Sequence, residues 1–196
     1  MLKIGLTGGI GSGKSTVSRI FNGLGILCFE ADSVSKQLLQ TTCYTPILQL
    51  LGHDILDKTT NKIDTHKMAI RIFSNGDLLQ KVNKILHPAV QYAYNQWLNE
   101  YSYLPYTLKE AAILFESGSY LQLDKIITIS AIESVRIERV IRRNTTTLQE
   151  IQKRIANQWT EDQRIQAADY VIYNNEKDQL IQQVYQLHTH FLTVYA

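Results

Sequence analysis

Gly8-Gly9-Ile10-Gly11-Ser12-Gly13-Lys14-Ser15 has the spacing of a phosphate-binding loop: two glycines with four residues between them, then a lysine and a hydroxyl. Each residue type has a physical task. The glycines let the backbone turn into a tight nest whose N–H groups point inward at phosphate oxygens. A helix beginning near Lys14 adds the positive end of its dipole. The Lys14 ammonium can reach β- and γ-phosphates, and the Ser15 hydroxyl can sit on Mg²⁺. The bare pattern also occurs by chance, so its flanks decide. Leu2-Lys3-Ile4-Gly5-Leu6-Thr7 reads as a short apolar strand leading in, and Val17, Ile20, Phe21 and Leu24 recur behind the loop at helical spacing.

Two acids stand where a phosphate site would need them. Asp32 follows the apolar run Ile26 to Phe29, and ligands of open α/β sheets bind beyond the carboxyl ends of strands. A carboxylate there can accept a hydroxyl proton or help hold Mg²⁺. The competing reading makes Asp32 a cap for the helix containing Val34 and Leu38. Glu30, two residues back, is the weaker candidate. Glu116 ends the run Ala111-Ala112-Ile113-Leu114-Phe115, an apolar strand followed by an acid, although a helix N-terminal carboxylate has the same appearance.

Glu133 to Arg143 reads as a helix carrying Arg136, Arg139, Arg142 and Arg143. It is either a solvated basic face or a lid whose guanidinium groups neutralise charge on a transferred phosphoryl. Two patterns are set aside. Asn61-Lys62-Ile63-Asp64 spells a guanine-reading signature, but no Asp-x-x-Gly segment precedes it after the loop, so it reads as a turn and helix cap. The five histidines form no metal spacing, and only His87, just before Pro88 at an expected helix start, is placed to meet a substrate.

These residues need a scaffold, and the chain supplies one. Short apolar runs at Ile4 to Leu6, Ile26 to Phe29, Ala111 to Phe115, Ile126 to Ile129 and Tyr170 to Tyr173 have the continuity of strands covered on both faces. Helical patterns between them predict an α/β fold with a five-stranded parallel sheet. The long interval between the second and third runs holds several helix candidates and is the natural seat of a second substrate. Thr147-Leu148-Gln149-Glu150 and Thr160-Glu161-Asp162-Gln163 are capping-box patterns, and Leu180, Val184, Leu187 and Phe191 share one side of a last helix.

At 196 residues the chain suits one well-cored domain with a lid or small insertion. A formal charge of +2 gives no long-range pull toward nucleic acid or an acidic membrane. No stretch approaches the roughly 20 apolar residues of a membrane span. The N-terminus enters the first strand at once, leaving no room for a signal peptide. Cys28 and Cys43 make no disulfide framework or zinc site, so a cytoplasmic setting is expected.

The ordered set of motifs resembles the dephospho-CoA kinase family. The likeness begins with Leu6-Thr7-Gly8-Gly9-Ile10-Gly11-Ser12-Gly13-Lys14-Ser15-Thr16-Val17 and Glu30-Ala31-Asp32. It continues through Leu86-His87-Pro88, Ile113-Leu114-Phe115-Glu116, Arg139-x-x-x-Arg143 and Gln158 to Ala168-Asp169-Tyr170-Val171-Ile172. The resemblance implies a P-loop kinase fold that phosphorylates the ribose 3′-hydroxyl of dephospho-CoA with ATP and Mg²⁺. It implies one domain over 1–196, with a helical CoA-binding insertion at 36–108 and an arginine-bearing lid at 139–158. Gly8, Gly9, Gly11, Ser12, Gly13, Lys14, Ser15 and Thr16 would bind ATP, and Ser15 and Asp32 would hold the metal. Asp32 would be the base, Lys14, Arg139 and Arg143 would assist transfer, and His87, Leu114 and Glu116 would meet the acceptor. There are departures: Glu30 and Ala112 replace an Asp and a Pro of the family, Glu176 stands where a glycine often does, and Thr145-Thr146-Thr147 opens the lid differently.

Dephospho-CoA is the implied partner, with no nucleic acid or membrane, and a monomer and a weak homo-oligomer are both compatible. Two other functions fit the loop: another small-molecule or nucleoside-monophosphate kinase, and a nucleotide-gated switch. The missing Asp-x-x-Gly segment argues against the switch.

Overall fold

β1 (Leu2–Gly8), β2 (Cys28–Glu30), β3 (Tyr106–Glu110), β4 (Lys125–Ser130) and β5 (Tyr170–Tyr173) form one parallel sheet in the order β2-β3-β1-β4-β5. The helices, in chain order, are α1 (Lys14–Gly23), α2 (Ala31–Leu39), α3 (Tyr44–Leu51), α4 (Thr65–Phe73), α5 (Gly76–Glu100), α6 (Glu133–Arg143), α7 (Leu148–Ala156), α8 (Glu161–Ala167) and α9 (Leu180–Val194). The structure, a computed structural model, describes residues 1–73, 75–143, 147–176 and 178–195. The opening of the expected lid at Thr145-Thr146 lies outside the described residues. The chain divides into two compact units, Met1–Glu30 with Tyr101–Ala196, and Ala31–Glu100.

In the first unit β1 is central. Leu2 to Leu6 pair with Tyr106 to Glu110 on one side, and Ile4 to Gly8 pair with Lys125 to Ile129 on the other. Connections depart to opposite sides of β1, so its carboxyl end is the switch point at which such sheets form a ligand crevice. The core joins Ile4, Leu6, Leu108, Ile127 and Ile172 of the sheet to Val17 and Phe21 of α1 and Val184 and Phe191 of α9, all buried. Phe21 meets the Tyr106 ring edge-on at 6.4 Å. Each such apolar side chain contributes about 1.5–3 kcal/mol on burial, which anchors the loop between β1 and α1 at both ends.

The third strand is a correction. It is Tyr106–Glu110, and the apolar run from Ala111 that the sequence analysis reads as a strand is a turn segment. Pairing with β1 and β2 ends at Glu110. Beyond it the chain folds under the sheet, with Leu114 fully buried and its Cδ2 where a side chain on Gly5 would have to go. The run is apolar because it is buried, not because it is extended. Lys109 and Glu110 disguise the true strand; Lys109 is only 2% exposed, and burial pushes its ammonium down to about 8.

The second unit is helical and has its own core, including Leu39, Ile47, Leu51, Ile55, Met68, Val82 and Leu86. The Gln40 side chain stitches it locally, donating to the Ile63 carbonyl at 2.8 Å and accepting from the Ile63 N–H at 2.9 Å. Asn61-Lys62-Ile63-Asp64 forms a turn and a cap: Asn61 has φ 54°, and Asp64 accepts from the His66 and Lys67 N–H groups. A helix start at Pro88 is the second correction. Pro88 lies inside α5, where its ring removes one backbone donor and one intrahelical hydrogen bond. Packing of a 25-residue helix against α2, α3 and α4 outweighs that loss.

Candidate active site

Within the first unit the loop emerges from β1 at the switch point and enters α1. Gly13 caps α1 in a left-handed conformation, φ 101°, and its carbonyl accepts from the Thr16 and Val17 N–H groups at 2.9 and 3.1 Å. A side chain there would be strained, and its Cβ would overlap Asn174 Nδ2. The first turn of α1 has no acidic residue and no side-chain cap, so its positive end is left for an external anion. Lys14 Nζ donates to the Gly8 carbonyl at 3.0 Å, which brings its ammonium over the loop. Ser12 is fully buried and its N–H donates to Gly9. Ser15 is half-buried and Thr16 exposed at the first turn of α1. Asn174, just past β5, closes the far side by donating to the Ser12 carbonyl at 2.7 Å.

Two side chains, Arg136 and Gln158, hydrogen-bond to the loop from behind, and a third, Arg164, is buried next to Gly9. Arg136 of α6 is 4% exposed; its Nε donates to the Ala131 carbonyl at 3.0 Å and its Nη1 to the Ile10 carbonyl at 3.4 Å. Burial lowers its guanidinium from the ordinary arginine value, and the Glu161 carboxylate opposes that shift. Arg164 of α8 is 3% exposed, pairs with Glu161 at 2.6 Å and also donates to the Trp159 carbonyl. Gln158 accepts from the Ile10 N–H at 2.9 Å and donates to the Ala112 carbonyl at 2.8 Å. A cavity of about 540 Å³ opens beside this cluster, its wall including Glu133, Arg136, Trp159, Glu161 and Arg164.

The segment after β3 is held to the same place. Glu116 Oε1 accepts from the Trp159 N–H at 2.6 Å, and the Phe115 ring stacks on Trp159 with centroids 4.9 Å apart and planes 6° from parallel. Thr160 opens α8 and Thr147 opens α7, each with a complete capping box. These caps set the direction in which Gln158 and Trp159 leave one helix and enter the next.

Of the residues singled out in the sequence, Gly8 to Ser15, Glu116 and Leu114 lie together in the first unit. Arg139 and Arg143 stand on the carboxyl-terminal half of α6, Arg139 half-buried and Arg143 exposed. Arg139 Nη1 is buried and has no hydrogen-bond partner among the described residues. Asp32 and His87 belong to the second unit. Asp32 is the second residue of α2, in its first turn and separated from the end of β2 by one residue along the chain. His87 is a mid-helix residue of α5, not a helix-start residue, and borders a shallow recess with Gln80, Asn83, Lys84 and Pro88.

The sequence places Arg136 among the arginines of a solvated face or lid, where the structure buries it, and gives no sign of Arg164. Arg136 carried a usable signal: it lies one turn before the buried Val140, so an arginine occupies a core-facing position of an amphipathic helix. Arg164 and the bracing role of Gln158 had none, because their partners are remote in sequence.

Among the described residues no group of three His, Cys, Asp or Glu can hold a metal, and no helix is long and apolar enough to cross a membrane. The sequence profile of the family described as Dephospho-CoA kinase matches residues 2–179. The chain is 37% identical over 179 residues to the dephospho-CoA kinase of Chlorobium luteolum, covering 88% of this chain and 82% of that one. It is 32% identical over 188 residues to the dephospho-CoA kinase of Bacteroides fragilis, covering 95% and 91%. Among solved structures, TT1252 from Thermus thermophilus superposes with a TM-score of 0.88 at 22% identity, covering 100% of this chain and 98% of that one.

Proposed function

The chain belongs to the dephospho-CoA kinase family, and from that premise we propose that it transfers the ATP γ-phosphoryl group to the ribose 3′-hydroxyl of dephospho-CoA, giving CoA and ADP. The observation that carries the ATP half is the loop at the end of β1, with its left-handed Gly13, Lys14 and uncapped first turn of α1.

Bound there, the β- and γ-phosphates take the inward N–H groups of the loop and the Lys14 ammonium. The acceptor oxygen attacks the γ-phosphorus in line, the bond to the bridging oxygen breaks, and ADP leaves with the electron pair. The hydroxyl proton passes to Asp32, assigned by the Glu30-Ala31-Asp32 motif and its place one residue removed from the end of β2. Arg139 and Arg143 neutralise charge on the phosphoryl oxygens, the bidentate work for which guanidinium is suited. Most of the acceleration then comes from positioning and charge neutralisation. His87 of the helical unit, and Leu114 and Glu116 of the segment beyond β3, are assigned to the acceptor by the family motifs that carry them.

The residues fit Mg²⁺ of the kind that rides on a nucleotide. The Ser15 hydroxyl and the Asp32 carboxylate are hard oxygen donors, too few for an all-protein cage, which is how Mg²⁺ is usually held beside substrate phosphates. Held there, the ion would supply positive charge that offsets the charge of the nucleotide's phosphates. Two free cysteines, Cys28 and Cys43, suit a reducing cytoplasm. The test is a panel of acceptors with Mg-ATP, following ADP and the phosphorylated product by mass. ADP formed with dephospho-CoA, and not with nucleoside monophosphates or shikimate, supports the reading; ADP formed only with another acceptor refutes it.

A further inference from the structure

Ile10, at the crest of the phosphate loop, has both backbone polar groups engaged by side chains from outside the loop. Its N–H donates to Gln158 Oε1 at 2.9 Å, and its carbonyl accepts from Arg136 Nη1 at 3.4 Å. Arg136 belongs to α6, and Gln158 lies two residues beyond the end of α7. The helix that carries the lid arginines and the end of the one that follows it are therefore rooted on one residue of the loop, through the two peptide groups that flank it.

Both roots are stiff. Arg136 Nε is tied to Ala131, and Gln158 Nε2 to Ala112. The approach of α6 to the loop is also close. A Cβ on Gly9 would stand well inside 3.0 Å of Arg136 Nη1, and one on Gly11 well inside 3.0 Å of the Arg136 carbonyl. Those two glycines serve contact with α6 as well as the turn itself. An amide N–H that points outward to Gln158 cannot point inward to phosphate, so the Gly9–Ile10 peptide fixes the sense in which the following N–H groups face.

We infer that Gln158 and Arg136 are positioning residues that hold the two peptide groups flanking Ile10, Gln158 keeping the Ile10 N–H turned outward and Arg136 holding the Ile10 carbonyl, presetting the loop for the nucleotide's phosphates and joining it to the roots of the α6–α7 arm. The inference rests on the reading of this loop as the ATP site. Neither side chain touches the reacting atoms; each acts through Ile10.

The experiment is steady-state kinetics of the full chain with Mg-ATP and dephospho-CoA, on wild type, Gln158→Leu, Arg136→Met and the double variant. Each single change raises KM for ATP about 5–30-fold, the effect of losing one hydrogen bond of this kind. KM for dephospho-CoA stays within about twofold of wild type. Because both side chains act on the two peptide groups of one residue, the double variant falls short of the product of the two single effects. Gln158→Asn and Arg136→Lys keep polarity while losing reach, and they report the same split if the larger changes unfold the chain. An unaltered KM for ATP, both KM values rising together, or fully multiplicative effects overturns the inference. The wild type run alongside keeps the premise separate: ADP formed with dephospho-CoA upholds the site whatever the variants do.

Discussion

Gly13→Ala is the most quantitative probe of the loop. The residue sits at φ 101°, and a Cβ there would overlap Asn174 Nδ2. Left-handed backbone costs an L-residue about 1–2 kcal/mol. Displacing Asn174 also breaks its 2.7 Å bond to the Ser12 carbonyl, worth about 0.5–1.5 kcal/mol. The sum, about 1.5–3.5 kcal/mol, corresponds to a fall in Tm of about 3–14 °C at this chain length. Gly23→Ala is the internal control. Gly23 ends the same helix, has open space around its Cβ position and does not lie at left-handed φ, so alanine should be neutral or stabilising by up to about 1 kcal/mol. Thermal unfolding by circular dichroism, with and without ATP, reads both. Gly13→Ala should also bind ATP more weakly, because the nest and the start of α1 move together. If the two variants melt alike and bind ATP alike, the account of the loop geometry is wrong.

On the proposed reading, in which the Lys14 ammonium meets the phosphates in both ground and transition states, Lys14→Ala should raise KM for ATP and lower kcat together in steady-state assays; normal ATP kinetics would refute the loop assignment. His188 predicts a pH dependence of stability. Its Nδ1 lies 2.7 Å from Tyr106 Oη, and burial lowers its imidazole from the ordinary value. The unfolded chain therefore takes up the proton first, so stability is fully present above about pH 6.5, the unfolded histidine value, and declines as pH falls toward the folded pKa. The loss of Tm between pH 7.5 and 5.5 should be smaller in His188→Gln, and equal losses would contradict the assignment.

Much of the scaffold was legible because it is local. The loop residues, both capping boxes, the span of α6 and the buried side of α9 each announce themselves within one or two helical turns, and the structure keeps them all. Misreadings arose where burial and periodicity point different ways. Ala111 to Phe115 is apolar as a buried turn, and Lys109 is charged inside a buried strand. Pro88 looks like a boundary, but a long helix tolerates it when one face is packed. What could not be read are ties across the chain: Gln158 to Ile10 spans 148 positions and Arg136 to Ile10 spans 126. No periodicity encodes them; only strand order brings β1, α6 and the end of α7 together.

Asp32 carries the chemistry of the proposal, and Asp32→Asn replaces its carboxylate by an amide of nearly the same shape. Single-turnover ADP formation with saturating Mg-ATP and dephospho-CoA should slow by about 10²–10⁴-fold in Asp32→Asn, the scale of a lost general base, while KM for ATP stays near that of the wild type. Transfer at an undiminished rate by that variant would contradict the account at its centre.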